Sequence, residues 1–356
     1  MKILHSGDWH IGSAMQGFSQ AQRQLLQRKL LELPGQIAAL CCREQCDLVL
    51  LSGDLFDGTY SREDYRAVYD ALAEMAVPVF VTPGNHDYIA LGSPWVRELW
   101  PENVHIFTRP QVESVAVPAL DCRVYGAGFT EKDCPALLEG FRAEQEQTYA
   151  IGVFHGDPTQ SDSPYNPITN QQVKASGLHY LALGHIHKAD AFYAGGTLCA
   201  WPGCPMGTRY DEQGSKGVYI VEVGQEVTCR FVTLDAPRFF DLSVIPGDDP
   251  EKALSCVLPG SGSEDFYRVT FTGESDSLDL DALYSAFGEF PNLLLRDKTR
   301  AVVDLWADAG QDSFAGMYFG MLKQALENAP EAEKEKILLT ARLSRTILNG
   351  EEVALP

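Results

Sequence analysis

The feature that most constrains the fold is a repeated order of apolar run, glycine turn and helical stretch at the start of the chain. Apolar runs lie at residues 2–8, 46–54 and 77–87, and each ends in a turn that contains glycine. Between them, residues 19–44 and 62–76 carry apolar side chains at helical spacing. Because parallel strands need crossover connections, this β-α-β-α-β order predicts a parallel sheet with covering helices.

The remainder of the chain divides into a strand-rich part and a smaller mixed part. Further strands are predicted at residues 123–129, 149–157, 179–187, 216–223 and 227–234. We therefore expect an α/β fold whose first domain is a two-sheet β-sandwich flanked by helices and ends near Pro237. The pattern after Pro237 predicts a small α/β domain. It indicates a strand at 266–273, a helix at 278–287, a strand at 292–298, and a helical segment from 312 to 349 that is broken around 328–332.

Composition indicates a globular protein without a membrane segment. The apolar fraction is 45%, and no run approaches the roughly 20 apolar residues that cross a bilayer. The N-terminus shows no signal-peptide pattern, and the nine cysteines form no CxxC pair. We expect a cytoplasmic protein with reduced thiols. Cys41, Cys42 and Cys46 could form a metal knuckle, but buried packing is the favoured interpretation.

The charge balance restricts any nucleic-acid function. Lys and Arg total 28 against 49 Asp and Glu, which gives a net charge of −21. A protein that holds DNA with its own surface usually carries a basic face. Binding to DNA would therefore require bound cations that neutralise carboxylates, or a partner that supplies a positive surface.

Polar side chains with metal-binding or acid–base chemistry follow the predicted strands at their carboxyl ends. They are Asp8, His10, Asp54, Asp57, Asn85, His86, Asp87, His155, His185 and His187. The carboxyl ends of strands in an open α/β sheet form its ligand crevice, so these groups should face one cleft. The two histidines of the GHIH turn at 184–187 point to the same side of an extended chain. Alone, such a pair could share one metal, serve two adjacent metals, or bind none.

The donor types suit two small divalent cations. Carboxylates, an amide oxygen and imidazoles are ligands of Mn²⁺, Fe²⁺ or Zn²⁺, and the absence of thiolates argues against a structural zinc. One ion would take Asp8 and His10, the other Asn85 and His155, with Asp54 bridging them. The two histidines of the GHIH turn would each take a different ion. Two ions about 3.5–4 Å apart can hold a hydroxide between them and stabilise a phosphoryl transition state.

The motifs D-x-H, G-D-x-x-D, G-N-H-D, H and G-H-x-H, in this order, resemble the signature of the calcineurin-like metallophosphoesterases. The segments HSGDWHIG (5–12), LLSGDLFD (50–57), LALGHIHK (181–188) and WPGCPMGTRYDEQGSKGVYIVEV (201–223) look like the DNA-repair exonuclease branch, typified by the SbcD and YhaO subunits. The C-terminal segment 338–353 is similar to YhaO-type tails. The resemblance implies a metallophosphoesterase nuclease domain at 1–236 and a cap domain with a helical tail at 237–356.

This resemblance implies an assignment of the ligands. Metal one would be held by Asp8, His10, Asp54 and His187, and metal two by Asp54, Asn85, His155 and His185. The expected ions are two Mn²⁺, with Fe²⁺, Zn²⁺ and Mg²⁺ as alternatives.

The resemblance also implies an acid–base residue beside the metals. His86 would face the scissile phosphate, where it stabilises developing charge or protonates the leaving oxygen. Asp87 would orient that imidazole. Some relatives carry histidine where this chain has Asp57, so Asp57 is interpreted as a structural or outer-layer group.

We expect a metal-dependent nuclease that hydrolyses DNA phosphodiester bonds through a metal-bridging hydroxide. The candidate contacts to the nucleic acid are Tyr60, Arg62, Arg209 and Tyr210. The alternative for each is that it makes no contact with substrate. The resemblance further implies an SbcC/YhaN-type coiled-coil ATPase partner and a homodimer. We expect no association with a membrane. The alternatives are a phosphodiesterase or phosphatase that acts on small nucleotides or phosphoproteins, and a scaffold protein with a degenerate site.

Overall fold

The computed structural model describes residues 1–144, 146–260, 262, 264–276 and 278–350. The last residues of the predicted cap domain and of the tail segment 338–353 lie outside this part. Contacts divide the chain into two compact units. The first comprises Met1–Leu242, Ser261–Val269 and Gly288–Leu294, and the second comprises Ser243–Gly260, Thr270–Phe287 and Leu295–Pro356.

The first sheet contains the predicted β-α-β-α-β opening. Its elements are β1 (Lys2–Ser6), α1 (Gln20–Glu44), β2 (Leu48–Leu51), α2 (Arg62–Glu74), β3 (Val79–Val81), α3 (Pro94–Arg97) and β4 (Val104–Ile106). The strands β1, β2, β3 and β4 are parallel neighbours. Their carboxyl ends therefore meet at one edge of the sheet, as the sequence predicted.

The second sheet is also mostly parallel. The part of the chain that forms it contains β5 (Glu113–Val117), a 3₁₀ turn (Pro118–Leu120), β6 (Cys122–Gly126), β7 (Tyr149–His155), α4 (Asn170–Ala175), β8 (Tyr180–Gly184), β9 (Asp190–Ala194) and β10 (Thr197–Trp201). The strand order is β5-β6-β7-β8-β10-β9. The chain then returns to the first sheet through β11 (Gly217–Val223) and β12 (Val227–Thr233), which makes its order β12-β11-β1-β2-β3-β4.

The two sheets pack face to face, because alternate residues of each strand are apolar toward the other sheet. Leu48 and Leu50 of β2 share one buried core with Ile151 and Val153 of β7. The opposite face of the first sheet, including Val49, packs on the helices. The predicted sandwich flanked by helices is confirmed.

Helix α1 covers the predicted stretch 19–44 almost completely and without a break. Its apolar stripe is broken by Pro34 and Gly35, yet one helix runs from Gln20 to Glu44. A capping box at Ser19 starts it, and Gln45 in the left-handed region ends it. Cys41 and Cys46 are buried at this end, as the packing interpretation predicted, whereas Cys42 is exposed and the interpretation is wrong for it.

The later elements form a small mixed region. They are β13 (Phe239–Val244), α5 (Pro250–Ser255), β14 (Phe266–Phe271), α6 (Leu280–Ala286), β15 (Leu293–Asp297), α7 (Phe314–Asn328) and α8 (Glu331–Leu348). The strands form a three-stranded sheet in the order β13-β14-β15. Helices α7 and α8 pair through a hydrogen bond between Tyr318 and Ser344. Within the described residues, no helix has both the length and the apolarity to cross a membrane.

Candidate active site

The strand ends of the first sheet are tied together by backbone hydrogen bonds. The N–H of Asp8 donates to the carbonyl of Gly53 at 2.9 Å, and the N–H of His10 donates to the carbonyl of Asp54 at 3.0 Å. The N–H of His86 donates to the Asp54 carboxylate at 2.9 Å. Three loops that are far apart in sequence are thereby fixed against one another.

Four of the predicted ligands have left-handed backbone conformations. The φ angles are +52° for Asp8, +50° for His10, +52° for Asp54 and +97° for His185. Side chains other than glycine adopt this region rarely and at a cost of about 1–3 kcal/mol each, and such residues cluster at functional sites. The neighbouring Gly53 also has φ +94°, and a Cβ there would lie 2.6 Å from Nδ1 of His155. The turns are therefore shaped around the side chains that they carry.

One group of candidate ligands consists of Asp8, His10 and His187. Their donor atoms lie within 4.8 Å of one another. The Nε2 atoms of His10 and His187 are 3.0 Å apart. The carboxylate of Asp54 lies 4.0 Å from Nε2 of His10. These are the four side chains predicted for metal one.

A second group of candidate ligands lies near the same Oδ2 atom of Asp54. Nε2 of His155 is 3.4 Å from Oδ2 of Asp54 and 2.9 Å from Oδ1 of Asn85. Nδ1 of His185 is 3.2 Å from that same Asn85 oxygen. The structure thus brings together the four side chains predicted for metal two, and Asp54 belongs to both groups.

Hydrogen bonds at Nδ1 leave Nε2 of His155 and His187 available to bind a cation. Nδ1 of His155 lies 2.9 Å from the carbonyl oxygen of Ser52, and Nδ1 of His187 lies 2.6 Å from a carboxylate oxygen of Glu212. Both partners can only accept, so Nδ1 must carry the hydrogen. The Nε2 lone pair then points at the other candidate ligands, which is the arrangement that metal-binding histidines use.

Burial makes this cluster unfavourable without compensating positive charge. Burial raises the pKa of Asp8 to about 6, and it raises the pKa of Asp54 well above its ordinary value. Burial also lowers the pKa of His155 well below its ordinary value, so that ring stays neutral. Neutral imidazoles and closely spaced buried carboxylates are the donor set that divalent cations bind and compensate. The residues present therefore fit two divalent metal ions.

His86 lies beside this cluster and has a different carboxylate partner from the one predicted. Its Nδ1 is 2.7 Å from Oδ1 of Asp57, and its ring centroid is 4.8 Å from that of His10. The hydrogen bond from His86 lowers the pKa of Asp57. Asp57, rather than Asp87, therefore orients the imidazole.

The prediction that Asp87 supports the imidazole is wrong, because its carboxylate faces the backbone. One oxygen accepts the N–H groups of Leu55 and Phe56, at 2.8 and 3.3 Å, and the other accepts that of Gly84 at 2.8 Å. Burial raises the pKa of Asp87 to about 6, and these N–H groups oppose the rise. Asp87 holds two of the site's loops together.

The four candidate substrate contacts separate into three environments. Arg209 lines a cleft of about 360 Å³ that also contains His10, Asp57 and His86. Tyr60 and Arg62 line a separate cavity of about 430 Å³.

The ring of Tyr210, in contrast, packs against Phe18 and Phe239 and lies 4.6 Å beneath the guanidinium of Arg268. The ring of Tyr210 thus contributes to packing, and its contact with nucleic acid stays a prediction.

Glu212 is the site residue that the sequence did not single out. It is 6% exposed and lies in the cleft wall. Burial would raise the pKa of this carboxyl, but hydrogen bonds from His187 and Thr208 hold it below its ordinary value. The sequence contains it within the segment 201–223 that carries the family resemblance, but no spacing rule links it to His187.

Comparisons with known proteins identify a family and similar chains. The model of the family described as calcineurin-like phosphoesterase matches residues 1–189. The metallophosphoesterase YhaO of Bacillus subtilis is 30% identical over 239 residues, which are 63% of this chain and 57% of YhaO. The SbcD component of the nuclease SbcCD from Staphylococcus saprophyticus is 31% identical over 286 residues, which are 70% of this chain and 72% of that protein. A dimetal phosphatase structure from Danio rerio matches 65% of this chain and 98% of its own length, at 13% identity and a TM-score of 0.44.

Proposed function

The chain belongs to the calcineurin-like phosphoesterase family of hydrolases, and we propose that it hydrolyses phosphodiester bonds of DNA with two divalent metal ions. The observation that carries the proposal is the pair of ligand groups that share Asp54. Every predicted ligand belongs to one of these groups, which disfavours a scaffold with a degenerate site.

The metal pair would be held by the groups assigned above: Asp8, His10, Asp54 and His187 for one ion, and Asp54, Asn85, His155 and His185 for the other. When bound, two such ions activate water and neutralise the charge of the phosphoryl group. We expect Mn²⁺, because this mixed set of carboxylate, amide and imidazole donors suits it.

His86 is the expected acid for the leaving oxygen. Its Nδ1 lies 2.7 Å from the carboxylate of Asp57, which orients the ring and leaves Nε2 to act on the leaving oxygen. The ring is also part of the cleft wall that contains His10. His86 can therefore reach a substrate without being buried among the ligands.

DNA is proposed as the substrate because similar proteins are named as components of a nuclease. The cavity that Tyr60 lines concentrates positive charge despite the net charge of −21, because Arg62, Arg66 and Arg97 line it with one acidic side chain, Glu98. Arg209 lies in the cleft, where it donates a hydrogen bond to Glu212. Arginines interleaved with aromatic rings are suited to a nucleic-acid strand.

A partner would supply the remaining positive surface. We propose a coiled-coil ATPase of the SbcC/YhaN type, a homodimer of this chain, and a cytoplasmic location. The exposed side chains of Phe314, Met317 and Met321 on α7 offer an apolar surface for the ATPase.

The test compares substrates on the purified, Mn²⁺-loaded chain. We expect cleavage of linear duplex DNA and of bis-p-nitrophenyl phosphate. His86→Ala should lower both activities, the activity on DNA more strongly, with both metals retained. Cleavage of bis-p-nitrophenyl phosphate or cyclic nucleotides without cleavage of DNA, also after addition of the ATPase, would favour the small-phosphodiester alternative. Two bound metals with no cleavage of any substrate would favour the scaffold.

A further inference from the structure

The carboxylate of Glu212 accepts four hydrogen bonds from three residues. One carboxylate oxygen accepts Nδ1–H of His187 at 2.6 Å and an N–H of the Arg209 guanidinium at 3.3 Å. The other accepts the backbone N–H of Thr208 at 2.6 Å and its hydroxyl at 3.1 Å. Four donors converge on one buried group.

Only an ionised carboxylate satisfies these donors, because it has two acceptor oxygens and no hydrogen to donate. A glutamine at this position would have one acceptor oxygen and an NH₂ group. Whichever way that amide turned, its NH₂ would face either His187 or Thr208, both of which donate. The geometry therefore requires glutamate itself, and not only a polar residue of this size.

The same loop also holds the backbone of His187. Nζ of Lys216 donates to the His187 carbonyl at 2.9 Å, and Lys216 is only 7% exposed. The thiol of Cys204 contacts the same carbonyl at 3.7 Å. The segment 208–216 therefore contacts both the ring of His187, through Glu212, and its main-chain carbonyl, through Lys216.

We propose that Glu212 is a positioning residue, which fixes the ring of His187 for metal one and holds Arg209 at the wall of the cleft. The inference rests on the proposed two-metal site but not on DNA as the substrate. Carboxylates that accept the second N–H of a metal-binding imidazole set its tautomer and orientation. Through its shared oxygen, Glu212 also links His187 to Arg209.

A direct contact between Glu212 and a metal is the competing explanation. The donor atoms of His187, Cys204 and Glu212 lie within 4.8 Å of one another. However, Nδ1 of His187 is at hydrogen-bonding distance from Glu212, whereas its Nε2 faces His10 at 3.0 Å. The ring can present only Nε2 to metal one while it donates from Nδ1, so Glu212 acts through the imidazole.

The test compares Glu212→Gln with Asp211→Asn. Asp211 is the matched control, because it is adjacent, lies 3.7 Å from Nε of Arg209, and is 73% exposed. Mn²⁺ is titrated into the metal-free full chain by calorimetry, and electron paramagnetic resonance detects coupling between the two ions. We expect Glu212→Gln to weaken one of two sites by roughly 10–100-fold and to reduce the coupled signal, with Asp211→Asn like wild type.

A second measurement needs no variant. Nitrogen-15 NMR of the wild-type chain, loaded with diamagnetic Zn²⁺, reports which nitrogen of His187 carries the hydrogen. The inference predicts hydrogen on Nδ1, and hydrogen on Nε2 would overturn it. Unchanged Mn²⁺ binding in Glu212→Gln, or an equal loss in Asp211→Asn, would also overturn it. A wild-type chain that binds no Mn²⁺ would contradict the metal site itself.

Discussion

The pairing of His86 with Asp57 leads to a quantitative prediction about turnover. Nδ1 and Oδ1 lie 2.7 Å apart, but the side chains are 46% and 29% exposed. A hydrogen bond to a charged group is worth about 1.5–3 kcal/mol, and partial exposure places this one near the lower end. Asp57→Asn should therefore lower kcat about 10–30-fold. His86→Ala removes the acid altogether and should cost about 10²–10⁴-fold.

The decisive variant combines both changes. If Asp57 acts only through His86, Asp57→Asn adds nothing once the imidazole is gone, so the double variant should match His86→Ala within about threefold. The assay measures kcat at saturating Mn²⁺, with metal content determined for each variant. DNA should show larger losses than bis-p-nitrophenyl phosphate, because a nitrophenolate leaving group needs less protonation. A double variant that loses the product of the two single effects would refute the pairing.

Three further predictions concern metal binding and stability. Asp54→Asn should weaken both metal sites, since its carboxylate belongs to both ligand groups; loss of only one ion in a Mn²⁺ titration would contradict this. Asp87→Asn should lower the free energy of unfolding by about 2–4 kcal/mol, because an amide leaves buried N–H groups without an acceptor. Denaturant unfolding measures this change if the m-value is the same in both proteins. An unchanged midpoint would exclude the loop-holding role. Burial lowers the pKa of His5 to about 3. As the pH falls below about 6.5, this imidazole therefore takes up a proton in the unfolded chain but not in the folded chain, and the free energy of unfolding decreases. His5→Gln should remove about 2 kcal/mol of the loss between pH 6.5 and 5, at about 1.4 kcal/mol per pH unit, and equal pH slopes for the two proteins would show that the buried ring is not responsible.

The sequence predicted three parallel strands of the first sheet and the convergence of the candidate ligands because both depend on local patterns, whereas β4 was not predicted. Apolar runs that end in glycine turns identify parallel strands, and parallel strands bring their carboxyl ends together. Asp8, Asp54 and Asn85 follow three such strands directly, so their convergence required no knowledge of distant contacts. The strands β9 and β10 were not predicted, because Asp190–Ala194 and Thr197–Trp201 contain three alanines, which strands disfavour, and only one β-branched residue.

The partners of the histidines could not be predicted from local sequence. Asp87 follows His86 directly, which made it the natural candidate to orient the ring, but its carboxylate turns into the backbone. Asp57 is 29 residues away and reaches His86 only in the folded chain. Glu212 is likewise 25 residues from His187. Such contacts depend on how loops pack, which neither strand nor helix periodicity encodes.

The most direct test of the account is anomalous diffraction at the manganese edge from crystals of the Mn²⁺-soaked chain. It asks whether the carboxylate of Asp54 lies between two cations. We predict two peaks about 3.5–4 Å apart, one beside His10 and His187 and the other beside Asn85 and His155. A single peak, or two peaks of which only one contacts Asp54, would contradict the shared-carboxylate site from which the proposed hydrolysis follows.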